Sequence, residues 1–367
     1  MKVAIYTIAL NEEKHVRRWY EASKEADYHI IADTGSTDKT VEIANSLGIT
    51  VHHIHIKPWR FDDARNAALA LIPTDADYCI IADMDEVLQP GWREELQKAY
   101  DAKDEKGLPR PRHKLVTDYD LEGKPAVEFY ANRIHTRDNY RWRYPIHEVI
   151  THFPVTEDER FFDIGLQIHH HQDQTKSRKQ YLDMLEMAVD EDPDNARMLY
   201  YYGSELFYNQ EYLPAKRVFE EYLKYSNFPD EKAYALRILA KCDPNSAEKH
   251  LKESLKINYC REGVLALANH YYIKKQWKQC LKTSFEALEI KERLNTFMTE
   301  EWAYGHMAYD LIAISSWQLE HWEDALRYGE LALEMTPTDE RLQNNVKFYR
   351  SKIDELHTGP DDGRGAS

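Results

Sequence analysis

Two hydrophobic periods divide this chain. Up to about residue 172, short apolar runs alternate with stretches of helical spacing; beyond it the strand signal disappears. Residues 3–8 read as a buried strand, followed by a polar turn at Asn11 and an amphipathic helix to about Ala26. Residues 28–32 predict a second strand, which ends in the turn Asp33-Thr34-Gly35-Ser36-Thr37-Asp38. Asp38 is placed to cap a helix running to Leu47, and Gly48 closes it. A third strand is expected over 49–56, a third helix over 62–71, and a fourth strand over 78–82 that ends at Asp83-Met84-Asp85-Glu86. Residues 113–168 read as strands and loops, clearest at 115–117 and 127–130. Alternation of this kind predicts an α/β domain with a mainly parallel sheet, whose ligands bind beyond the carboxyl ends of the strands. Asn11, Asp33 and Asp83 all fall at such ends.

Residues 173–356 predict an all-α array. Leu199, Tyr202, Gly203, Ala215 and Phe219 follow the pattern of a tetratricopeptide unit, in which small residues let two antiparallel helices approach closely. Small residues recur in equivalent register at Ala247, Cys280 and Ala325, at spacings of 32, 33 and 45. The usual unit is about 34 residues, so the last interval carries an insertion around 290–301. Ala332 and Pro337 complete the final unit, and 357–367 predict a disordered tail.

Composition narrows the classes. Aromatic residues make up 12% of the chain and apolar residues 43%, which marks a globular protein. The formal net charge of −16 counts against a protein whose main task is gripping phosphate backbones. No apolar stretch approaches the roughly 20 residues of a membrane span. The four cysteines, Cys79, Cys242, Cys260 and Cys280, show no CxxC pairing and read as free thiols of a reducing compartment. The N-terminus runs straight into the first strand without a signal peptide, so the expectation is a soluble cytoplasmic protein.

Asp83-Met84-Asp85 carries the strongest chemistry. Two carboxylates at i and i+2, leaving a buried strand, can present oxygens to a hard divalent cation that keeps open positions for phosphate. The cluster has company at other strand ends, in Asp33 and in Asn11-Glu12-Glu13. Phe61 to Asn66 opens the helix before the DxD strand. In a structural role Asp62 or Asp63 caps that helix and Arg65 pairs with a neighbouring carboxylate; in a functional role Arg65 reaches toward a nucleotide diphosphate. His52, His53 and His55 read as ordinary strand residues.

Taken together, Asn11-Glu12-Glu13, the turn 33–40, Phe61 to Asn66 and Asp83-Met84-Asp85-Glu86 resemble the family 2 glycosyltransferases of GT-A fold. The resemblance is closest to the branch with C-terminal tetratricopeptide repeats, of bacterial or phage type. It covers residues 1–172 by specific motifs and extends through the repeats. It implies a Rossmann-like domain that moves a sugar, with inversion, from a nucleotide sugar such as UDP-glucose. Asp33 would meet the uracil base, with Asn11 and Glu12 beside the donor. Arg65 would help hold the nucleotide and Asp83 would face ribose and metal. Asp85 would be the direct ligand of Mn²⁺ or Mg²⁺. Tyr144-Pro145-Ile146-His147-Glu148 resembles the HE motif of this branch, which makes Glu148 the expected general base and His147 its orienting partner or a diphosphate contact. Asp163 is the alternative base. A late histidine often completes the metal site of such enzymes, and His170, which shares the face of Leu166 and Ile168, is preferred to His171. Lys176 and Arg178 would clamp phosphates or simply solvate the helix they begin.

Two other classes are open to the same residues. A sugar-phosphate nucleotidyltransferase needs a glycine-rich loop after the first strand, where this chain has Ala9-Leu10-Asn11-Glu12-Glu13. A non-catalytic repeat scaffold with a decayed nucleotide-sugar site is the other. The acceptor is expected to be a protein or peptide, a glycan, or a modified DNA base met by a basic groove of Arg137, Arg141, Arg143, Lys176, Arg178 and their neighbours; homodimerisation through the repeats is a further expectation.

Overall fold

The computed structural model describes residues 1–119, 125–155, 159–171, 180–293 and 300–357. It divides into two compact units, Met1–Ala188 and Val189–Ser367. In chain order the first unit holds β1 (Val3–Ala9), α1 (Val16–Ser23), β2 (Tyr28–Asp33), α2 (Thr40–Ser46), β3 (Thr50–His53), α3 (Phe61–Ala70) and β4 (Tyr78–Ile81). There follow β5 (Glu86–Leu88), α4 (Trp92–Asp101), β6 (Arg110–Tyr119), β7 (Pro125–Ala131), β8 (Ile134–Thr136), β9 (Tyr140–Arg143), β10 (Val149–His152) and β11 (Phe161–His170). Helix α5 (Tyr181–Glu191) spans the division between the units.

The main sheet has the order β3-β2-β1-β4-β8, parallel except for the antiparallel edge β8. A second sheet, β5-β11-β6-β7, is mixed, and β9 pairs with β10 as a hairpin. Strand alternation sends Val3, Ile5, Ile31 and Ile80 to one side, where they pack with Trp19, Trp92, Leu96 and the inner residues of β11. Ala4, Tyr6, Ile30 and Ile81 go to the other side, against Ala68, Leu69 and Trp142. With both faces covered, the strands read as unbroken apolar runs rather than alternating ones, as parallel strands do.

Three boundaries differ from the sequence expectation. The third strand is shorter than 49–56 because its partner β2 ends at Asp33, whose carbonyl accepts the Ile54 amide as the chain leaves. Helix α1 stops at Ser23, whose hydroxyl bonds back to the Trp19 carbonyl. Helix α4, with Trp92, Leu96 and Ala99 buried on one stripe, was readable from its 3.6 period and lies outside the expected elements.

In the second unit α6 (Ala196–Tyr208) packs on α7 (Tyr212–Tyr225), α8 (Pro229–Cys242) on α9 (Ala247–Ile257), α10 (Arg261–Ile273) on α11 (Trp277–Glu289), and α12 (Met307–Gln318) on α13 (Trp322–Met335). Helix α14 (Glu340–His357) packs on α13. The second helix of each pair buries the small residue read from the register: Ala215, Ala247, Cys280 and Ala325. Gly203 shows why size matters there, since a β-carbon added to it would lie 3.0 Å from the Phe219 ring. Three of the hairpin turns share one hydrogen-bond pattern: the amides of Glu211, Gln276 and His321 each donate to the carbonyl five residues back. The residue before each, Gln210, Lys275 and Glu320, is left-handed, as this helix ending requires. The expected insertion appears between α11 and α12, where a single 3₁₀ turn (Glu301–Tyr304) is described. All four cysteines are buried and unpaired. No helix among the described residues is long and apolar enough to cross a membrane.

Candidate functional site

The carboxyl ends of β1, β2 and β4 gather the charged residues of the first unit. Leaving β1, Asn11 adopts φ 57° and its side-chain oxygen accepts the Thr37 amide at 2.8 Å. The Glu12 amide donates to the Thr40 hydroxyl at 2.7 Å, and the Glu13 carboxylate accepts the Lys39 amide. Asp38 accepts the Thr40 amide at 2.9 Å at the start of α2. These bonds lock the two strand-end loops to one another. Asn11 therefore has its side-chain oxygen engaged within the protein, and Glu12 is buried.

Asp33 is also buried at the end of β2. Its carboxylate accepts the Gly35 and Ser36 amides and lies 3.1 Å from Nδ1 of His53. Gly35 turns at φ 115°, a conformation open to glycine and strained for other residues. His53, read as an ordinary strand residue, thus belongs to the surroundings of Asp33.

The centre of the site is Arg65. Its Nε–H donates to Glu148 Oε1 at 2.6 Å, and Nη1 and Nη2 donate to the two oxygens of Asp83 at 2.9 and 3.3 Å. Its guanidinium lies 5.1 Å from the Trp142 ring centroid, in stacking range. Asn66, the next residue, brackets Trp142 by bonding both its carbonyl and its amide. The Phe61 amide donates to the Pro145 carbonyl, which fastens the start of α3 to the loop bearing His147 and Glu148. Neither Asp62 nor Asp63 stands at the N-cap of α3, which is Arg60; the Asp62 carboxylate accepts the Asp63 amide in the first turn and is held by Arg60.

Arg133 donates to Asp83 at 3.2 Å and to Glu86 at 2.8 Å. Burial pushes the Asp83 carboxyl up, but Arg65 and Arg133 outweigh it and hold the group well below the usual carboxylate range. Glu86, fully buried, is pushed up to about 7 by burial, with Arg133 opposing and Asp83 adding. The Asp85 carboxylate is buried too and lies 3.6 Å from Nε2 of His170, the residue of β11 that pairs with Glu86. Asp85 raises the His170 imidazole above its ordinary value against the effect of burial.

The structure brings Arg65, Asp83, Glu148, Asp85 and His170 into one region and separates others from it. Asp163 stands seven residues before His170 on β11, roughly 20 Å away along the strand. It is paired with Arg112 at 2.6 and 2.9 Å, so the alternative base is removed from the strand-end site. His171 stacks on Tyr119, 5.7 Å between ring centroids, together with His169. Its amide donates to the Asp85 carbonyl at the DxD turn. Among the described residues no group of three or more His, Cys, Asp or Glu side chains converges as a metal cluster. Asp83 is paired with two arginines, and Asp85 with His170. His147, at φ 50°, turns its ring edge to Tyr181, 6.4 Å between centroids. Lys176 and Arg178 lie outside the described residues.

Arg133, Glu86 and Trp142 were missed by sequence reasoning. Glu86 directly follows the DxD and Trp142 is the apolar residue between Arg141 and Arg143, so both carried a local signal. Arg133 carried none; the pairing of β8 beside β4 delivers it.

Residues 4–161 match the family model described as glycosyl transferase family 2. Solved structures align with just under half of the chain. One is YrrB, titled a TPR protein with an unusual peptide-binding site: 17% identity, 46% of this chain and 83% of that one, TM-score 0.37. Another, from work on Pseudomonas aeruginosa pilF, has 16% identity over 46% of this chain and 72% of that one, TM-score 0.37. MamA from Desulfovibrio magneticus RS-1 has 16% identity over 44% and 88%, TM-score 0.38. Comparison with curated proteins finds no match.

Proposed function

We propose that the first unit is an inverting transferase that moves a sugar from a nucleotide sugar, a UDP-sugar such as UDP-glucose, to a nucleophilic group of an acceptor. The observation that carries this reading is the line of acidic groups at the strand ends, Asp85, Asp83 and Glu148, organised around Arg65 in a family 2 glycosyltransferase domain. Asp83, Glu86 and Glu148 are paired with the two guanidiniums of Arg65 and Arg133, and Asp85 faces His170. A diphosphate brought beside these carboxylates is favoured by a cation that comes with it.

Asp85 and His170 fit that requirement. A carboxylate oxygen and an imidazole nitrogen suit Mn²⁺, and a single carboxylate with substrate phosphates suits Mg²⁺. A cation held there supplies positive charge against the charge that builds on the departing diphosphate. In the transfer, a lone pair of the acceptor nucleophile forms the new bond to the anomeric carbon. The bond from that carbon to the phosphate oxygen breaks, and its electron pair leaves with the diphosphate. Glu148 takes the proton of the nucleophile. Asp33 borders the base end, fixed by its amide and His53 contacts. The helical hairpins of the second unit suit an extended peptide, so a protein or peptide acceptor is favoured.

The test is a release assay: the protein with Mn²⁺, a panel of nucleotide sugars and no acceptor, with free nucleoside diphosphate measured. Slow release from one donor, abolished by chelator, is expected. Absence of both release and nucleotide binding would leave the repeat scaffold as the function.

A further inference from the structure

The resemblance to family 2 enzymes assigns Arg65 to the nucleotide, but its surroundings describe another task. The side chain is 7% exposed. Its Nε is directed at Glu148, both terminal nitrogens at Asp83, and one face of the guanidinium at Trp142. Burial works against its charge, and the Asp83 and Glu148 carboxylates more than offset that. The platform beneath is itself fixed: Trp142 Nε1 donates to the Tyr6 hydroxyl at 3.0 Å, and that hydroxyl bonds His135 at 2.9 Å. Turning this guanidinium to a phosphate would take its Nε–H from Glu148 and leave Asp83 to Arg133 alone, and losing hydrogen bonds to part-buried carboxylates is costly.

We propose that Arg65 is a positioning residue that ties Asp83, on the donor side, to Glu148, on the acceptor side, so that the base is set relative to the donor without Arg65 meeting the nucleotide. This rests on the transferase reading above. The planar fork of arginine suits the task, since it spans two carboxylates in fixed directions where a lysine offers one compact charge.

The experiment measures kcat and KM for nucleoside diphosphate release, with the donor that the wild type turns over, for Arg65→Lys, Glu148→Gln and the double variant. UDP affinity in Mn²⁺ is measured by calorimetry on each. Arg65→Lys is expected to lower kcat about 100-fold while UDP affinity and KM stay within about threefold, because the lost interaction acts on the transition state rather than on ground-state binding. In the Glu148→Gln background the same change should cost less than about threefold further, since residues that act through one another are non-additive. A nucleotide clamp would behave otherwise: UDP affinity would fall tenfold or more, by the same factor in both backgrounds, and the positioning role would be overturned. If Arg65→Lys fails to fold by near-UV circular dichroism, Trp142→Phe gives the same split, with a smaller fall in kcat and unchanged UDP affinity. A wild type that neither releases nucleotide nor binds UDP would overturn the transferase reading and this role with it; active wild type with a clamp-like Arg65 overturns the role alone.

Discussion

Both units of this protein bury an arginine against carboxylate, and the two arginines do different things. Arg237 of α8 is 4% exposed and donates Nε and Nη2 to one oxygen of Glu300 at 3.1 and 2.8 Å, with Tyr234 stacked at 5.2 Å. One cation meets one anion, and the pair fastens the end of the α11–α12 insertion to the helical array. Arg65 is as deeply buried, but it bridges two carboxylates in a region that also holds Asp85, Glu86 and Arg133. That region lies at strand ends rather than between packed helices. A matched buried pair is a fastener; a cluster of several charges beyond the carboxyl ends of a parallel sheet is a candidate place for a ligand.

The comparison can be broken by substitution. Arg237→Met alone should cost about 3–5 kcal/mol, because Glu300 is left without its cation in a largely buried position. Adding Glu300→Met should recover most of that loss in urea denaturation of the whole chain. If the double variant recovers nothing, Arg237 has a task beyond fastening and the contrast with Arg65 fails. For the first unit Arg65→Met with Glu148→Met should restore only part of the stability, because Asp83 then keeps Arg133 alone, and should not restore turnover.

A smaller effect concerns protons. His113 is fully buried with no hydrogen-bond partner for either ring nitrogen, and burial, with Arg133 and Arg110 nearby, holds its imidazole down to about 3. Burial likewise holds His135 to about 3. Between about 6.5 and 3 the unfolded chain binds these protons and the folded chain does not, so stability is full above about 6.5 and falls as pH is lowered through that window. His113→Leu should flatten this loss, read as the shift of the urea midpoint between pH 7 and pH 4.5. An unchanged shift would mean that other groups carry the acid sensitivity.

The residues disclosed the fold more fully than the site. The register of Ala215, Ala247, Cys280 and Ala325 located four helical hairpins, because the close approach of paired helices constrains residue size at one fixed position. The strand ends with Asp33 and Asp83 were legible because buried parallel strands end abruptly in polar turns. What joins those ends was not. Arg133 reaches Asp83 through an antiparallel edge strand with no motif of its own, and Trp142 matters through the stack it makes rather than through spacing. Asp163 shows the limit of reading by strand, since a carboxylate on the same strand as His170 sits toward its other end, paired with Arg112.

The central claim is that Asp85 and His170 hold the cation a nucleoside diphosphate needs beside this acidic cluster. The direct measurement is calorimetric titration of UDP, with and without Mn²⁺, into the wild-type chain and Asp85→Asn. UDP binding that requires Mn²⁺ and is weakened about 100-fold or more by the substitution is the predicted result. Equal UDP affinity in both proteins, or affinity indifferent to Mn²⁺, would contradict the claim.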